Sequence, residues 1–504
     1  MNKTKRYLWQ NGWAVYIGNF FLSLIVCGTY VFFNHFSTDD YAAIFYAKGW
    51  RVVASSFRVP IAFLYYIVDD LLGYNTTIHQ TVFLFILVMI VALAVTLMTR
   101  EVLKYIEMPN FITFLLVNGS FLLMFENGFF SEWLWFAGGA LQWAACIICA
   151  VGAAIVLNRD SRPISKVLLG SMFLICGTGS YQLCLVHFVY CYMLLGFVKN
   201  KGLLKRKTFM ELVGAAVLCA ISFAVNVILT KVAISLGLSD PIQKISGQRL
   251  PIVSFLKGIV FTLKTVWIDG TDFFPKWFWL VVLVLYLGIC VYILINNSNK
   301  LNRIVYAFLL CISGMAVMWA SGYTQGSMGV TPRQCLYFIG MLSCIIIIPL
   351  CLPKKPGEKL CVVETIVLLA VIIYNFMVIE ITAVDVMTTM NLDERYYQQV
   401  YDRIGDYEEE TGNKISSVVV YYDEHPTDKY YEEMIMPVPG HIEIKSMYTY
   451  WSWKSAMNYY LDTQYVAGEV DEDLQEYFMK KDWNKIDLDE QMIFDDDTLH
   501  LCAY

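Results

Sequence analysis

Apolar residues fill the first three quarters of this chain in long blocks, separated by short polar or charged stretches. A helix that crosses a bilayer needs about 20 mostly apolar residues, with a working range of roughly 17–25. Eleven intervals meet or approach that length: 13–33, 80–99, 110–125, 133–157, 166–179, 182–198, 210–235, 277–296, 304–320, 335–353 and 361–382. The stretch 166–198 reads as two short helices hinged at "GTGSYQ" or as one long kinked helix. Its basic flanks, "NRDSRPISK" and "KNKGLLKRK", favour the pair. The first run follows a basic start, "MNKTKRYLW", as a signal peptide would. It is longer than a signal h-region and lacks a small-residue cleavage site, so it predicts an uncleaved first helix.

Two regions depart from this pattern. Residues 34–79 mix Tyr41, Ile44, Phe45, Trp50, Val53, Phe57 and Ile61 with Lys48, Arg51 and Arg58, which predicts an amphipathic helical segment lying along the membrane interface. Beyond residue 382 the texture becomes that of a small water-facing α/β domain of about 120 residues, enough for a core. "NLDERYYQQVYDRIGDYEEETGN" predicts a helix closing at Gly412-Asn413, and "KISSVVVYYDE" a strand. Two more helices follow at "YTYWSWKSAMNYYL" and "DEDLQEYFMKK", and "DTLHLCAY" predicts a closing strand.

Composition sharpens the class. The chain is 58% hydrophobic and 16% charged, against about 25% charged in a soluble domain, so it reads as an α-helical polytopic membrane protein. The net charge of −6 divides unevenly: residues 383–504 hold 27 of the 43 acids and 9 of the 37 bases. Domains 1–382 and 383–504 are therefore expected. Lys and Arg concentrate in alternate short loops, 18 against 9 in the others, which predicts a cytoplasmic N-terminus and an extracytoplasmic tail. Of the 14 cysteines, only Cys502 lies in the acidic tail. No Cys/His spacing suggests zinc.

Six features could carry chemistry. Asp39-Asp40 stands at the outer exit of the first helix, where a carboxylate could act as general base or the pair could hold a divalent cation; the plain alternative is a helix cap. Lys48, Arg51 and Arg58 share a helical face by their i,i+3 and i,i+7 spacing and could hold a lipid phosphate, or bulk phospholipid. Arg333 in "TPRQ" is the only charge in its outer loop and calls for an anionic partner. Tyr181 and Gln182 sit at the "GTGSYQ" hinge, and broken helices at membrane depth line cavities. Glu126 and Glu132, in "FENGFFSEWLW", are placed in a short outer loop among aromatics, a setting that suits carbohydrate as well as an ordinary aromatic belt. Asp269 and Asp272 are lesser candidates of the same kind.

In layout the chain resembles the GT-C glycosyltransferases, and more narrowly it is similar to the bacterial Gtr-type glucosyltransferase family. The residues that carry this are "TDDYAAIFYAKGWR" at 38–51, "SYQ" at 180–182, "TPR" at 331–333 and the closing "DDDTLHLCAY". The resemblance implies a GT-C-like fold of about eleven spans and an inverting hexosyl transfer, glucose first among the hexoses. The donor would be a polyprenyl-phosphate sugar and the acceptor a cell-envelope polysaccharide. It implies Asp39 or Asp40 as base, Arg333 and Gln182 lining the site, and the basic face at 48–58 meeting the lipid phosphate. No cofactor is expected beyond the possible cation at Asp39/Asp40, and no nucleic-acid partner. The rival classes are a transporter or flippase of a lipid-linked glycan, and a non-catalytic envelope assembly protein. A transporter would want charges within spans and paired repeats, yet Lys231 and Glu364 are the nearest to midspan charges and no repeat is visible.

Overall fold

The computed structural model describes residues 10–45, 49–107, 109–160, 162–240, 252–264, 273–325, 335–422, 430–436, 444–481, 483 and 485–503. Lys48, Asp269, Asp272 and Arg333 lie outside the described residues.

The helices follow the apolar pattern. They are α1 (Gly12–Phe32), α2 (Thr38–Phe45), α3 (Trp50–Ser55), α4 (Val59–Tyr65), α5 (Gln80–Leu103), α6 (Phe111–Phe125), α7 (Ser131–Trp135), α8 (Ala140–Asn158), α9 (Pro163–Thr178), α10 (Cys184–Lys199), α11 (Arg206–Ser235), α12 (Ile252–Lys264), α13 (Lys276–Asn296), α14 (Lys300–Gln325), α15 (Leu336–Ile347), α16 (Glu358–Thr411), α17 (Trp453–Leu461) and α18 (Glu472–Met479). Each of the eleven predicted intervals carries helix. Among the described residues, eight stretches are long and apolar enough to cross a membrane, and α9, α10, α12 and α15 are shorter apolar helices. The protein is thus a multi-pass α-helical membrane protein. On α11 and α13 the side chains of Val217, Ile221, Ile228, Leu280, Val284 and Leu287 remain exposed, as lipid-facing positions do.

The helix body is tied by packing and by a few buried polar bonds. Asn19 on α1 and Asn118 on α6 exchange amide hydrogen bonds of 3.1 and 2.8 Å. Asn19 also donates to Thr96 on α5, and Thr99 donates to Asn118. Three helices are thereby fixed in register. A single such bond in a bilayer contributes only about 0.6 kcal/mol on average, so the cluster specifies the arrangement more than it stabilises it.

The segment between α1 and α5 departs from expectation. It is a chain of short helices followed by a π-helical turn at Tyr66–Leu71, with a break at 56–58 where Phe57 adopts φ +62°. A bulky residue in the left-handed region is strained and persists only where packing holds it; Phe57 is buried. Arg51 therefore lies on α3 while Arg58 lies in the break, as the residue before α4, and the two do not share a helical face.

The boundary at 382/383 also takes an unexpected form. Helix α16 is 54 residues long and runs without interruption through that point, about 80 Å at 1.5 Å per residue. It ends where the sequence predicts, at Gly412 with φ +77°. Beyond it, strands β1 (Ser417–Tyr422), β2 (Val466–Ala467), β3 (Met492–Asp495) and β4 (Thr498–Ala503) form one sheet in the order β2-β1-β4-β3. β1 runs parallel to β2 and β4, and β3 pairs antiparallel with β4. The core of this unit joins Tyr396, Tyr397, Val400 and Ile404 of α16 to Val418, Leu499, Trp453 and Met457. Phe36 and Tyr41, from the segment after α1, are part of the same core.

Candidate functional site

The acidic pair opens α2. Ser37 and Asp40 form a reciprocal cap: the Asp40 N–H donates to Ser37 Oγ at 3.2 Å, and Asp40 Oδ2 accepts the Ser37 N–H at 2.9 Å and its hydroxyl at 2.7 Å. This is the capping-box arrangement with Asp in the usual Glu position. The other oxygen, Oδ1, accepts the Gly138 N–H at 3.0 Å. Asp40 is 4% exposed. Burial pushes its carboxyl up to about 6, against the lowering effect of the Ser37 and Gly138 bonds, while the neighbouring Asp39 charge adds a smaller push upward.

Asp39 turns the other way. It is exposed, and its Oδ1 accepts the indole N–H of Trp451 at 3.1 Å. Tyr41, next in sequence, meets the Tyr460 hydroxyl on α17. Helix α2 is therefore clamped between the membrane body, through Asp40, and the C-terminal unit, through Asp39 and Tyr41. The two carboxylates face different partners and do not form one chelate. Among the described residues, no group of three or more His, Cys, Asp or Glu side chains is placed to hold a metal ion.

Gly138 carries the connection inward. A Cβ there would lie 2.7 Å from both Asp40 Oδ1 and Thr77 Oγ1, so the approach requires glycine. The Gly138 carbonyl accepts the Tyr65 hydroxyl at 2.6 Å. Burial is the main cause that raises the Tyr65 phenol, and the charges of Asp40 and Arg58 both reach it. One turn into α8, Gln142 Oε1 accepts Arg58 Nη1 at 3.0 Å. The Arg58 guanidinium lies over the Tyr181 ring, 4.4 Å from its centroid, and Tyr181 meets Trp143 edge-on at 4.3 Å. A cation over a ring in a partly desolvated setting gains roughly 0.5–2 kcal/mol. Gln182 donates to the Ser56 carbonyl at 3.2 Å, beside the Phe57 break.

Of the residues singled out from sequence, Asp40, Arg58 and Tyr181 are connected through this turn, Gln182 binds beside the Phe57 break, and Asp39 is next to Asp40 in sequence but faces Trp451. Arg51 does not join: its Nη2 donates to the Gly237 carbonyl at 2.9 Å, at the end of α11. Glu126 closes α6 and Glu132 opens α7, within the connection between α6 and α8, and neither side chain faces solvent. They are 1% and 0% exposed, inside the apolar stretch Phe111–Trp135. The residues that sequence reasoning passed over are Ser37, Tyr65, Gly138, Gln142 and Trp451. Ser37, three residues before Asp40, is a readable capping signal, and Gly138-Gly139 marks a turn; the other three carry no local sign of their partners.

No protein-family model matches this sequence, and no curated protein matches it.

Proposed function

We propose that the protein is an inverting membrane glycosyltransferase. It moves a hexose, glucose first among the candidates, from a polyprenyl-phosphate sugar to a cell-envelope polysaccharide. In this reading about eleven spans set the N-terminus in the cytoplasm and the C-terminal α/β unit outside. One observation supports it above the others: an exposed carboxylate, Asp39, stands beside a buried one, Asp40, that a single turn connects to the Arg58 guanidinium on its aromatic bed.

The residues divide the work. Three acceptor positions of Asp40 are filled and its side chain is buried, so it fixes α2. Asp39 is open to solvent with one neutral donor and is the base. The acceptor O–H attacks the anomeric carbon as Asp39 takes the proton. The bond from that carbon to the phosphate oxygen breaks, and polyprenyl phosphate leaves with the electron pair. Arg58 offsets the charge that gathers on the phosphate. A positioned donor of this kind is worth about 3–4 kcal/mol of barrier, and a general base typically ~10²–10⁴-fold in rate. Arg333, outside the described residues, remains a second proposed phosphate ligand.

The test is glycan composition by mass spectrometry in a strain lacking the protein. Complementation with the wild type restores a hexose to the envelope glycan, and Asp39→Asn at equal expression does not. A restored glycan with Asp39→Asn defeats the catalytic reading and returns the field to the transporter and assembly classes.

A further inference from the structure

Positive charge gathers at the end of the helix body opposite Asp40. Helix α8 starts beside Gly138, the Asp40 partner, and its 19 residues carry the chain about 28 Å away at 1.5 Å per residue. Where it stops, the stretches 159–166 and 199–207 hold eight bases and one acid, Asp160. Asp160 Oδ1 accepts Lys199 Nζ at 2.7 Å. That bond and the Lys199 charge hold the Asp160 carboxyl below the usual range, and the charges of Lys207 on α11 and Lys166 on α9 lower it further. The basic ends of α9, α10 and α11 therefore converge on one carboxylate. Glu107 pairs with Lys201, and Glu211 stands one turn along α11 from Lys207. Eight bases against these three acids leave an excess of five positive charges. Arg159, Arg162, Lys205, Arg206 and Lys207 are exposed and form no ion pair among the described residues.

Apolar surface begins within a turn of these bases. Ile164, Leu168 and Met172 run as a stripe along α9, and Met210, Val213 and Val217 along α11, each 42–75% exposed. The two helices pack together, with Asn226 of α11 donating to the Ile175 carbonyl of α9 at 3.0 Å.

We propose that this patch binds an anionic phospholipid, with its phosphates among Lys166, Lys205, Arg206 and Lys207 and its acyl chains along the exposed faces of α9 and α11. Charge complementarity selects an anion. The apolar stripes beside the bases select an amphiphile, since a soluble anion or an acidic protein would leave them uncovered. Basic pockets between membrane helices suit lipids that carry two phosphates, and an excess of five charges matches two phosphates better than one. The site lies at the far end of α8 from Asp40, so it does not depend on the transfer reaction.

The experiment is native mass spectrometry of the full chain released from detergent micelles. The probes are cardiolipin, with two phosphates and a net negative charge, and zwitterionic phosphatidylethanolamine. The wild type retains one cardiolipin at least tenfold more tightly than phosphatidylethanolamine. Arg206→Gln/Lys207→Gln weakens cardiolipin binding about tenfold. Lys300→Gln/Lys359→Gln, which removes the same charge from the starts of α14 and α16, leaves it unchanged. The proposal is overturned if phosphatidylethanolamine binds equally, if Arg206→Gln/Lys207→Gln binds as the wild type does, or if both double variants lose affinity alike, which would mean bulk headgroup attraction. Full displacement of cardiolipin by inorganic phosphate would also overturn it, as a site for a soluble anion.

Discussion

The indole N–H of Trp451 meets the Asp39 carboxylate at 3.1 Å, across 412 positions of sequence. A residue of the C-terminal unit thus touches the side chain assigned here as the base. In the proposed mechanism the unit is then part of the site and more than a lid above it. Trp451→Phe keeps the ring and removes the donor. Transfer is expected to fall about tenfold, in line with the 1.5–3 kcal/mol of a hydrogen bond to a charged group reduced by solvent at an exposed site. Thermal stability should hardly move, because Trp451 is 44% exposed. Unchanged turnover would mean that the contact is incidental.

Gly138→Ala places a methyl group 2.7 Å from Asp40 Oδ1 and Thr77 Oγ1. Asp40 cannot retreat without releasing Ser37. A loss of about 1–3 kcal/mol is expected, the usual cost of overpacking, read as a lower melting temperature in detergent together with lost transfer. A variant as stable and as active as the wild type would show that the turn does not set Asp40.

Asp40 also predicts a pH dependence. Its carboxyl is raised from 3.8 to about 6 in the folded protein, so the folded state binds more protons than the unfolded state between about pH 4 and 6. Stability from this group is therefore greatest at low pH and falls as pH rises through that window. The total is on the order of 2–3 kcal/mol. Asp40→Asn cannot titrate. The melting temperature of the variant minus that of the wild type should increase between pH 4 and pH 7. A constant difference across that range contradicts the assigned burial.

Asn118→Leu removes the paired amides that join α1, α5 and α6 and leaves Asn19 with its bond to Thr96. The expected loss is about 0.5–2 kcal/mol, measured by unfolding in mixed micelles, with transfer per folded molecule unchanged. A variant that stays fully stable but loses transfer would move this cluster from scaffold to site.

Much of the fold is readable in the apolar pattern, because a bilayer demands long uninterrupted helices and leaves few other solutions. The interruptions are where reading by pattern fails. Phe57 takes φ +62° with no glycine or asparagine to announce it, so the spacing of Arg51 and Arg58 suggested one face where the chain breaks between α3 and α4. The charge shift at 383 suggested a joint, yet no proline lies between Gly357 and Gly412, and the helix continues. At the site, the residue types of Asp39, Asp40, Arg58 and Tyr181 are visible one by one. Their connection is not, since Gly138 acts on Asp40 from 98 positions away and Gln142 on Arg58 from 84. Glu126 and Glu132 were read in a short outer loop between two spans, and their side chains are buried there among the aromatics.

The most direct measurement is release of polyprenyl phosphate from a synthetic polyprenyl-phosphate [14C]glucose by the purified full chain in nanodiscs, with extracted envelope polysaccharide as acceptor. Label is expected in the polysaccharide with the wild type, and at least a hundredfold less with Asp39→Asn. Equal transfer by the two proteins, with both folded, would contradict the proposed mechanism.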